Sequence, residues 1–347
     1  MPHLGNYLGA LRQWVSLQDS AAPSTRLFFS VVDLHSLTAR QPAAMRRKSK
    51  REMLAALLAI GLDPARSTLF HQSAVAAHAE LHWILSCDAS VGSLARMTQW
   101  KSKLGVQDDD GDGGVTQPAD PLATVDNPRS TQRLKLGLFS YPVLQAADIL
   151  LYRATHVPVG EDQAQHIEFA RDCANVFNHN YGDGRDILVP PAYVVSPARR
   201  VMSLTEPARK MSKSHESPRS RILLNDSRQE IASKFRTALT DSLEGISYEP
   251  RRRPGVSNLV DIISHLDVGG RSCQEVAEDF KDSTLRVLKE RAATVVDAHF
   301  RPIRDKYEQL LGEGHGKSLD EIAAHGAERA STTARKTMED VRSAIGI

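Results

Sequence analysis

Cysteine is scarce in this chain of 347 residues: Cys87, Cys173 and Cys273 stand far apart, with no CxxC pair and no Cys/His cluster at zinc spacing. A disulfide-stapled scaffold and a zinc finger are excluded. The expectation is three buried, reduced thiols in an intracellular protein. Long apolar runs are missing too; none approaches the roughly 18 residues a membrane helix needs. Nor does one sign of charge dominate: 44 basic side chains stand against 42 acidic ones, a net of +2. That is not the profile of a non-specific nucleic-acid coat, so any nucleic-acid partner must be met by local patches. The opening residues, Met1-Pro2-His3-Leu4-Gly5-Asn6, carry no charged n-region, apolar h-region or Arg/Ser-rich leader. What is present is ordinary globular composition, 41% hydrophobic and 25% charged. The length suits about two domains, with a core that needs no staples.

Helix and strand patterns alternate through the first half. Leu8, Leu11 and Val15 form an amphipathic stripe. Leu27 to Val32 reads as a buried strand, Met53 to Ile60 as a helix ended by Gly61, Thr68 to Phe70 as a second strand and His78 to Cys87 as another helix. This alternation predicts a parallel sheet with helices on its faces. Residues 105 to 133 interrupt it with an acidic, glycine-rich run, Asp108 to Gly114, followed by Pro118, Pro121 and Pro128. The composition predicts a disordered surface insertion; a Ca²⁺ loop lacks the required spacing and terminal glutamate. Order resumes at Leu134, with a helix striped by Ile167, Ala170, Ala174 and Phe177, and strand ends at Leu188-Val189 and Tyr193 to Val195. Beyond about residue 218 only helices are expected: Ile222 to Leu239, Val260 to Leu266, Cys273 to Phe280, Thr284 to Phe300, Ile303 to Leu311 and Leu319 to Ala344.

Three segments carry chemistry. Lys210-Met211-Ser212-Lys213-Ser214 sets two flexible ammonium groups on a short loop, suited to a polyphosphate or to charge developing on a leaving pyrophosphate; a solvated basic turn is the plainer reading. His3-Leu4-Gly5-Asn6 opens a helix whose free N–H groups suit an anion, or is simply a cap. Gly160-Glu161-Asp162-Gln163 precedes another helix, where Asp162 can accept from ribose hydroxyls or merely suit the helix dipole. His166 and Glu168 lack a third ligand at metal spacing, so a satisfied helix histidine is preferred and no metal site is assigned.

Taken together, the His-x-Gly-Asn and Lys-Met-Ser-Lys-Ser segments resemble the HIGH and KMSKS signatures of class I aminoacyl-tRNA synthetases. Tyr141 to Tyr152 (YPVLQAADILLY), Val157 to Gln163, Gln165 to Glu168, Arg200 to Leu204, Asp33-Leu-His35, Met97-Thr-Gln99 and Pro254 to Asn258 are similar to the tryptophanyl-tRNA synthetases. The similarity runs in order over nearly the whole chain, interrupted mainly at 105–133. It implies an α/β fold: a Rossmann-like parallel-sheet nucleotide-binding domain over 1–203, a KMSKS-like connection over 204–220, and an all-helical anticodon-binding domain over 221–347. It implies ATP-dependent activation of L-tryptophan and transfer to tRNA(Trp), by a homodimer with no membrane association, with Mg²⁺ accompanying ATP.

Residue by residue, the resemblance implies that Asp148 accepts the indole N–H, which as a donor-only group needs a buried acceptor. Gln163, His35 and Tyr141 would help hold the amino acid. His3, Gly5 and Asn6 would approach ATP, with Gly160, Glu161 and Asp162 on the ribose side and Val201 and Met202 on the adenine side. Lys210, Lys213 and Lys103 would stabilise pyrophosphate, with Met211, Ser212 and Ser214 completing the loop. Gln145 is reminiscent of mitochondrial members, so the mitochondrial matrix is expected, with the cytoplasm as the alternative. The family places a strand ending Pro-[ST]-Gly before the HIGH-like segment, and this chain starts inside that segment. The expectation is a sheet lacking that strand, any leader lacking too, and a second reading as a non-catalytic RNA-binding or dimerising protein on the same scaffold. The basic runs Arg251-Arg252-Arg253 and Met45 to Arg51 are read as tRNA phosphate contacts or as solvated surface.

Overall fold

The computed structural model describes residues 1–97, 134–160, 163–195, 200–213, 215–312 and 316–347. Within these, packing divides the chain into two compact units that interleave in sequence. One comprises Met1–Leu27, Arg47–Ser67 and Ser196–Ile322; the other comprises Phe28–Arg46, Thr68–Val195 and Ala323–Ile347. The sequence reading placed its divisions in chain order, at 203 and 220, and so did not anticipate either the N-terminal residues joining the later helices or the last residues joining the earlier half. The 105–133 segment lies outside the described residues.

The chain opens with α1 (Leu4–Asn6), a π-helical turn (Tyr7–Leu11) and α2 (Arg12–Ser20), so the helix read from Leu8, Leu11 and Val15 is present but locally widened. β1 (Leu27–Val31) and β2 (Ser67–His71) pair as one two-stranded sheet around α3 (Ala43–Ala59) in sequence. α4 (Ala77–Asp88) and α5 (Val91–Ala95) follow, then α6 (Leu136–Leu150). β3 (His156–Val159) and β4 (Ala192–Val195) run parallel, His156 opposite Ala192 and Val159 opposite Val195, joined by α7 (Ala164–Tyr181). The mixed helix and parallel-sheet architecture agrees with the expected α/β class. Leu188-Val189 forms no strand; Leu188 is instead pinned by Asn178, whose side chain takes its N–H at 2.9 Å and donates to its carbonyl at 2.7 Å.

In the second unit the core lies between α4, α6 and α7. Leu81, Leu85, Val143, Ala147, Leu150, Ile167, Ala170 and Phe177 are buried at helical spacing, each large apolar side chain contributing roughly 1.5–3 kcal/mol. The end of the last helix, α12 (Gly316–Ile345), adds Ala330, Ala334, Met338 and Val341 to this cluster.

In the first unit α8 (Arg228–Arg236) and α9 (Pro254–Leu266) pack on α11 (Leu285–Leu311), with α10 (Cys273–Asp279) against α9. Ser227/Glu230 and Ser272/Glu275 form capping boxes, and Pro254 opens α9 where its missing N–H costs nothing. Two helix expectations are corrected. Residues 222–227 are not helical: Ile222 and Leu224 are buried while Leu223 between them is not, a period-2 pattern produced by pairing with residues 2–4. And α11 continues unbroken through Pro302. The buried stripe Val296, Phe300, Ile303, Tyr307 spans the proline, offsetting the roughly 3 kcal/mol an interior proline costs. Of the thiols, Cys173 is buried but Cys87 is exposed and Cys273 half-buried, all three free. No helix of the described residues is long and apolar enough to cross a membrane.

Candidate active site

The first unit assembles a cationic corner around His3. The Leu4 N–H donates to the Ile222 carbonyl (2.8 Å) and the Leu224 N–H to the Pro2 carbonyl (3.1 Å), so the segment before α1 is held as an added strand. His3 then caps α1: its Nδ1 accepts the Asn6 N–H at 3.2 Å while Asn6 Oδ1 accepts the His3 N–H at 3.2 Å. With Nδ1 an acceptor, the neutral imidazole carries its proton on Nε2. Burial, then Arg221, Lys210 and Lys213, press the His3 pKa down to about 4. It is therefore neutral at physiological pH and surrounded by positive potential suited to an anion. The fit at Gly5 is close: a Cβ would lie 3.1 Å from the His3 ring, which would have to give by a few tenths of an ångström, and 3.5 Å from Met211 Cβ.

The KMSKS-like loop is tied by backbone to Val201 to Ser203, the segment expected on the adenine side. Met202 and Lys210 form an antiparallel bridge, the Met211 N–H donates to the Val201 carbonyl (2.9 Å) and the Ser203 N–H to the Arg209 carbonyl (2.8 Å). Asn258 completes the strand-like arrangement from α9. Its Oδ1 takes the Met202 N–H at 2.9 Å and its Nδ2 donates to the Met202 carbonyl at 3.1 Å. Gly255, one turn earlier, abuts the Leu239 carbonyl so closely that a Cβ would sit 2.2 Å from it. Lys210 and Lys213 are exposed.

The second unit builds a different site around Asp148 on α6. Its side chain is 12% exposed. Oδ1 accepts from Gln72 Nε2 (2.7 Å) and His78 Nδ1 (2.6 Å), and Oδ2 from His35 Nε2 (2.8 Å). Burial pushes the carboxyl pKa up, but the bonds from His35 and His78 outweigh it and hold Asp148 below the usual carboxylate value. Asp148 is thus an ionised, acceptor-only group. His78 Nε2 meets the Tyr152 hydroxyl at 2.8 Å, and Gln72 Oε1 accepts the Leu34 N–H at 3.0 Å, fixing the chain beside His35. Tyr141 packs edge-on to His35 with ring centroids 6.3 Å apart, and its hydroxyl meets His166 Nε2 at 3.0 Å. Gln163 precedes α7, its N–H donating to the Gly160 carbonyl (2.9 Å) and its Oε1 accepting from Gln145 (3.3 Å).

Of the residues expected at the site, then, His3, Gly5, Asn6, Val201, Met202, Lys210 and Met211 come together in one unit, with Ser212 and Lys213 on the same loop. Asp148, His35 and Tyr141 come together in the other, and Gln163 and Gly160 meet each other. Lys103, Glu161, Asp162 and Ser214 lie outside the described residues. Sequence reasoning assigned no role to Gln72, His78 or Arg221, which have no local signal of their own, nor to Tyr152 and Asn258, although both close segments that carry the resemblance. The arginine run is corrected in part: Arg253 neither meets solvent nor is free for phosphate. Its side chain is 3% exposed and binds Asp241 at 2.8 Å, with bonds to the Gly245 and Leu243 carbonyls.

The model of the class I tRNA synthetases for tryptophan and tyrosine matches residues 1–301. The chain belongs to this family. It is similar, at 42% identity, to the mitochondrial tryptophan–tRNA ligase of Schizosaccharomyces pombe, over 100% of this chain and 92% of that protein. It is 40% identical to the tryptophan–tRNA ligase of Caldanaerobacter subterraneus, over 99% and 94%. Among solved structures, this synthetase resembles the tryptophanyl-tRNA synthetase of Campylobacter jejuni complexed with ADP and tryptophan. The identity there is 29% and the TM-score 0.78, covering 100% of this chain and 96% of that one.

Proposed function

We infer that this synthetase is a tryptophan–tRNA ligase. It activates L-tryptophan with ATP to tryptophanyl-adenylate and pyrophosphate, then esterifies tRNA(Trp). Similarity to ligases of that specificity along the whole chain carries the reading, and it disfavours the non-catalytic alternative. In the first step a tryptophan carboxylate oxygen bonds to the α-phosphorus of ATP and the bond to the β-phosphate oxygen breaks, its electron pair leaving with pyrophosphate. In the second a terminal ribose hydroxyl of the tRNA attacks the activated carbonyl and AMP departs.

The residue roles are proposals. Asp148 accepts the indole N–H, with His35, Tyr141 and Gln163 holding the amino acid. His3, through Nε2–H, and Asn6 meet phosphate oxygens, and Gly5 lets them approach. Val201 and Met202 border adenine, while Gly160, Glu161 and Asp162 take the ribose. Lys210 and Lys213, with Arg221 beside them and Lys103, meet the charge of departing pyrophosphate. Mg²⁺ enters with ATP as part of the substrate; among the described residues no group of three or more His, Cys, Asp or Glu is placed to hold an ion. A homodimer and a mitochondrial matrix location are proposed, the latter supported by the mitochondrial relatives. Sedimentation and organelle fractionation test these.

The test of function is ATP–pyrophosphate exchange with tryptophan or tyrosine, followed by charging of tRNA(Trp). Exchange should require tryptophan; equal exchange with tyrosine would overturn the assignment. Asp148→Ala should lower tryptophan kcat/KM by roughly 2–4 kcal/mol, a lost charge-assisted bond together with orphaned histidines. Unchanged tryptophan kinetics would remove Asp148 from the pocket.

A further inference from the structure

A cavity of about 830 Å³ opens between α8 and α11, within the range of ligand pockets. α8 contributes Arg228, Ala232 and Arg236, each four residues from the next and so on one face. α11 contributes a stripe that begins at Arg286 and Lys289, passes Ala293 and Asp297 and ends at Arg301. Small side chains at 232, 293 and 298 leave the floor open, and the rim is cationic. The acids in it are already engaged: Glu290 by Arg286 at 3.3 Å, Asp297 by Arg304 at 3.0 Å and Arg301 at 3.6 Å. Lys289 donates to the Ala238 carbonyl at 2.8 Å. Arg228 and Arg236 are exposed and have no ion-pair or hydrogen-bond partner among the described residues.

Eight residues of helix separate those two guanidinium-bearing positions by about 12 Å along the axis. One small anion cannot serve both; a chain of phosphates can, and the planar guanidinium suits each of them. In a chain of net charge only +2, this is a local concentration of unneutralised positive charge. We propose that the α8–α11 groove is a phosphodiester-binding surface that takes the sugar–phosphate backbone of the tRNA substrate without reading its bases. The proposal rests on the ligase reading above for the identity of the RNA.

Direct binding separates the two. Labelled tRNA(Trp) is titrated with the full chain at a series of salt concentrations, using wild type, Arg228→Ala/Arg236→Ala and Arg228→Lys/Arg236→Lys, with tryptophan-dependent pyrophosphate exchange measured alongside. The alanine variant should bind about tenfold more weakly. Its slope of log affinity against log salt should fall by roughly 1.4–1.8, two phosphate contacts' worth. The lysine variant should keep the slope, and exchange should hold in both. An unchanged slope and affinity in the alanine variant overturn the proposal, as does parallel loss of exchange, which makes the arginines structural. Loss of tripolyphosphate binding alone, with tRNA affinity kept, overturns it in favour of a small polyphosphate. A wild type that binds tRNA but exchanges no pyrophosphate counts against the ligase reading only.

Discussion

His3 caps α1 through Nδ1, and accepting the Asn6 N–H there requires a neutral ring. Its pKa is pressed by burial and by cationic neighbours to about 4, from 6.5. Between those values the unfolded chain holds a proton that the folded chain lacks. The associated stability is therefore complete above pH 6.5 and is lost as the pH falls toward 4, on the order of 3 kcal/mol in all. Urea midpoints measured from pH 7 to pH 4.5 should fall, and less steeply in His3→Asn than in wild type; equal slopes would show that His3 is not protected. Lys210 and Lys213 are exposed. On the role proposed for them, meeting charge as pyrophosphate departs, Lys210→Ala and Lys213→Ala should each cut kcat for adenylate formation by roughly 10²–10³-fold with tryptophan affinity nearly unchanged. A loss under threefold in single-turnover measurements would remove either lysine from the reaction.

At the scale of elements, the site is positioned by short pieces of backbone held by side chains from helices. Asn258 is the clearest: 2% exposed, it binds both polar groups of Met202. Asn258→Ala leaves those groups without their partner, and should cost roughly 2–4 kcal/mol of stability and raise KM for ATP more than KM for tryptophan. Equal effects on the two constants would mean that α9 does not support the adenine side specifically. Much of this was legible. The patterns that mark β1, β2, α4 and α7 are each complete within the element itself, and the HIGH-like and KMSKS-like segments are each a handful of consecutive residues. What misled was periodicity at short range. Residues 222–224 read as the start of a helix running to Leu239, yet they pair with 2–4 as extended chain. Nothing local distinguishes the two readings, because the deciding partner lies more than two hundred residues away.

Across the whole molecule, the last helix serves more than the helical region assigned to it by order. Residues 323–347 belong with the second unit. Arg342 binds Glu80 at 2.7 and 2.6 Å, and Gly326 lies so near β2 that a Cβ would be 1.8 Å from the Leu69 carbonyl. Alanine is favoured over glycine in a helix by about 1 kcal/mol, but an overlap of this size costs more, roughly 3 kcal/mol. Gly326→Ala should therefore lower the thermal midpoint and weaken tryptophan-dependent exchange. A neutral or stabilising effect would show that the helix has room to shift.

The sequence by itself determined the α/β class, the order of most elements, the two signature segments and the acid on α6. These are written in local spacing and in short motifs whose residues act together because they are adjacent. Only the tertiary structure decided who meets whom: Gln72, His35 and His78 on Asp148, Asn258 on Met202, Arg253 inside rather than on RNA, and the C-terminal helix within the earlier half. Side-chain periodicity tells that a face is buried, since it reflects the geometry of one element. What that face is buried against depends on how distant segments pack, and no local pattern carries that information.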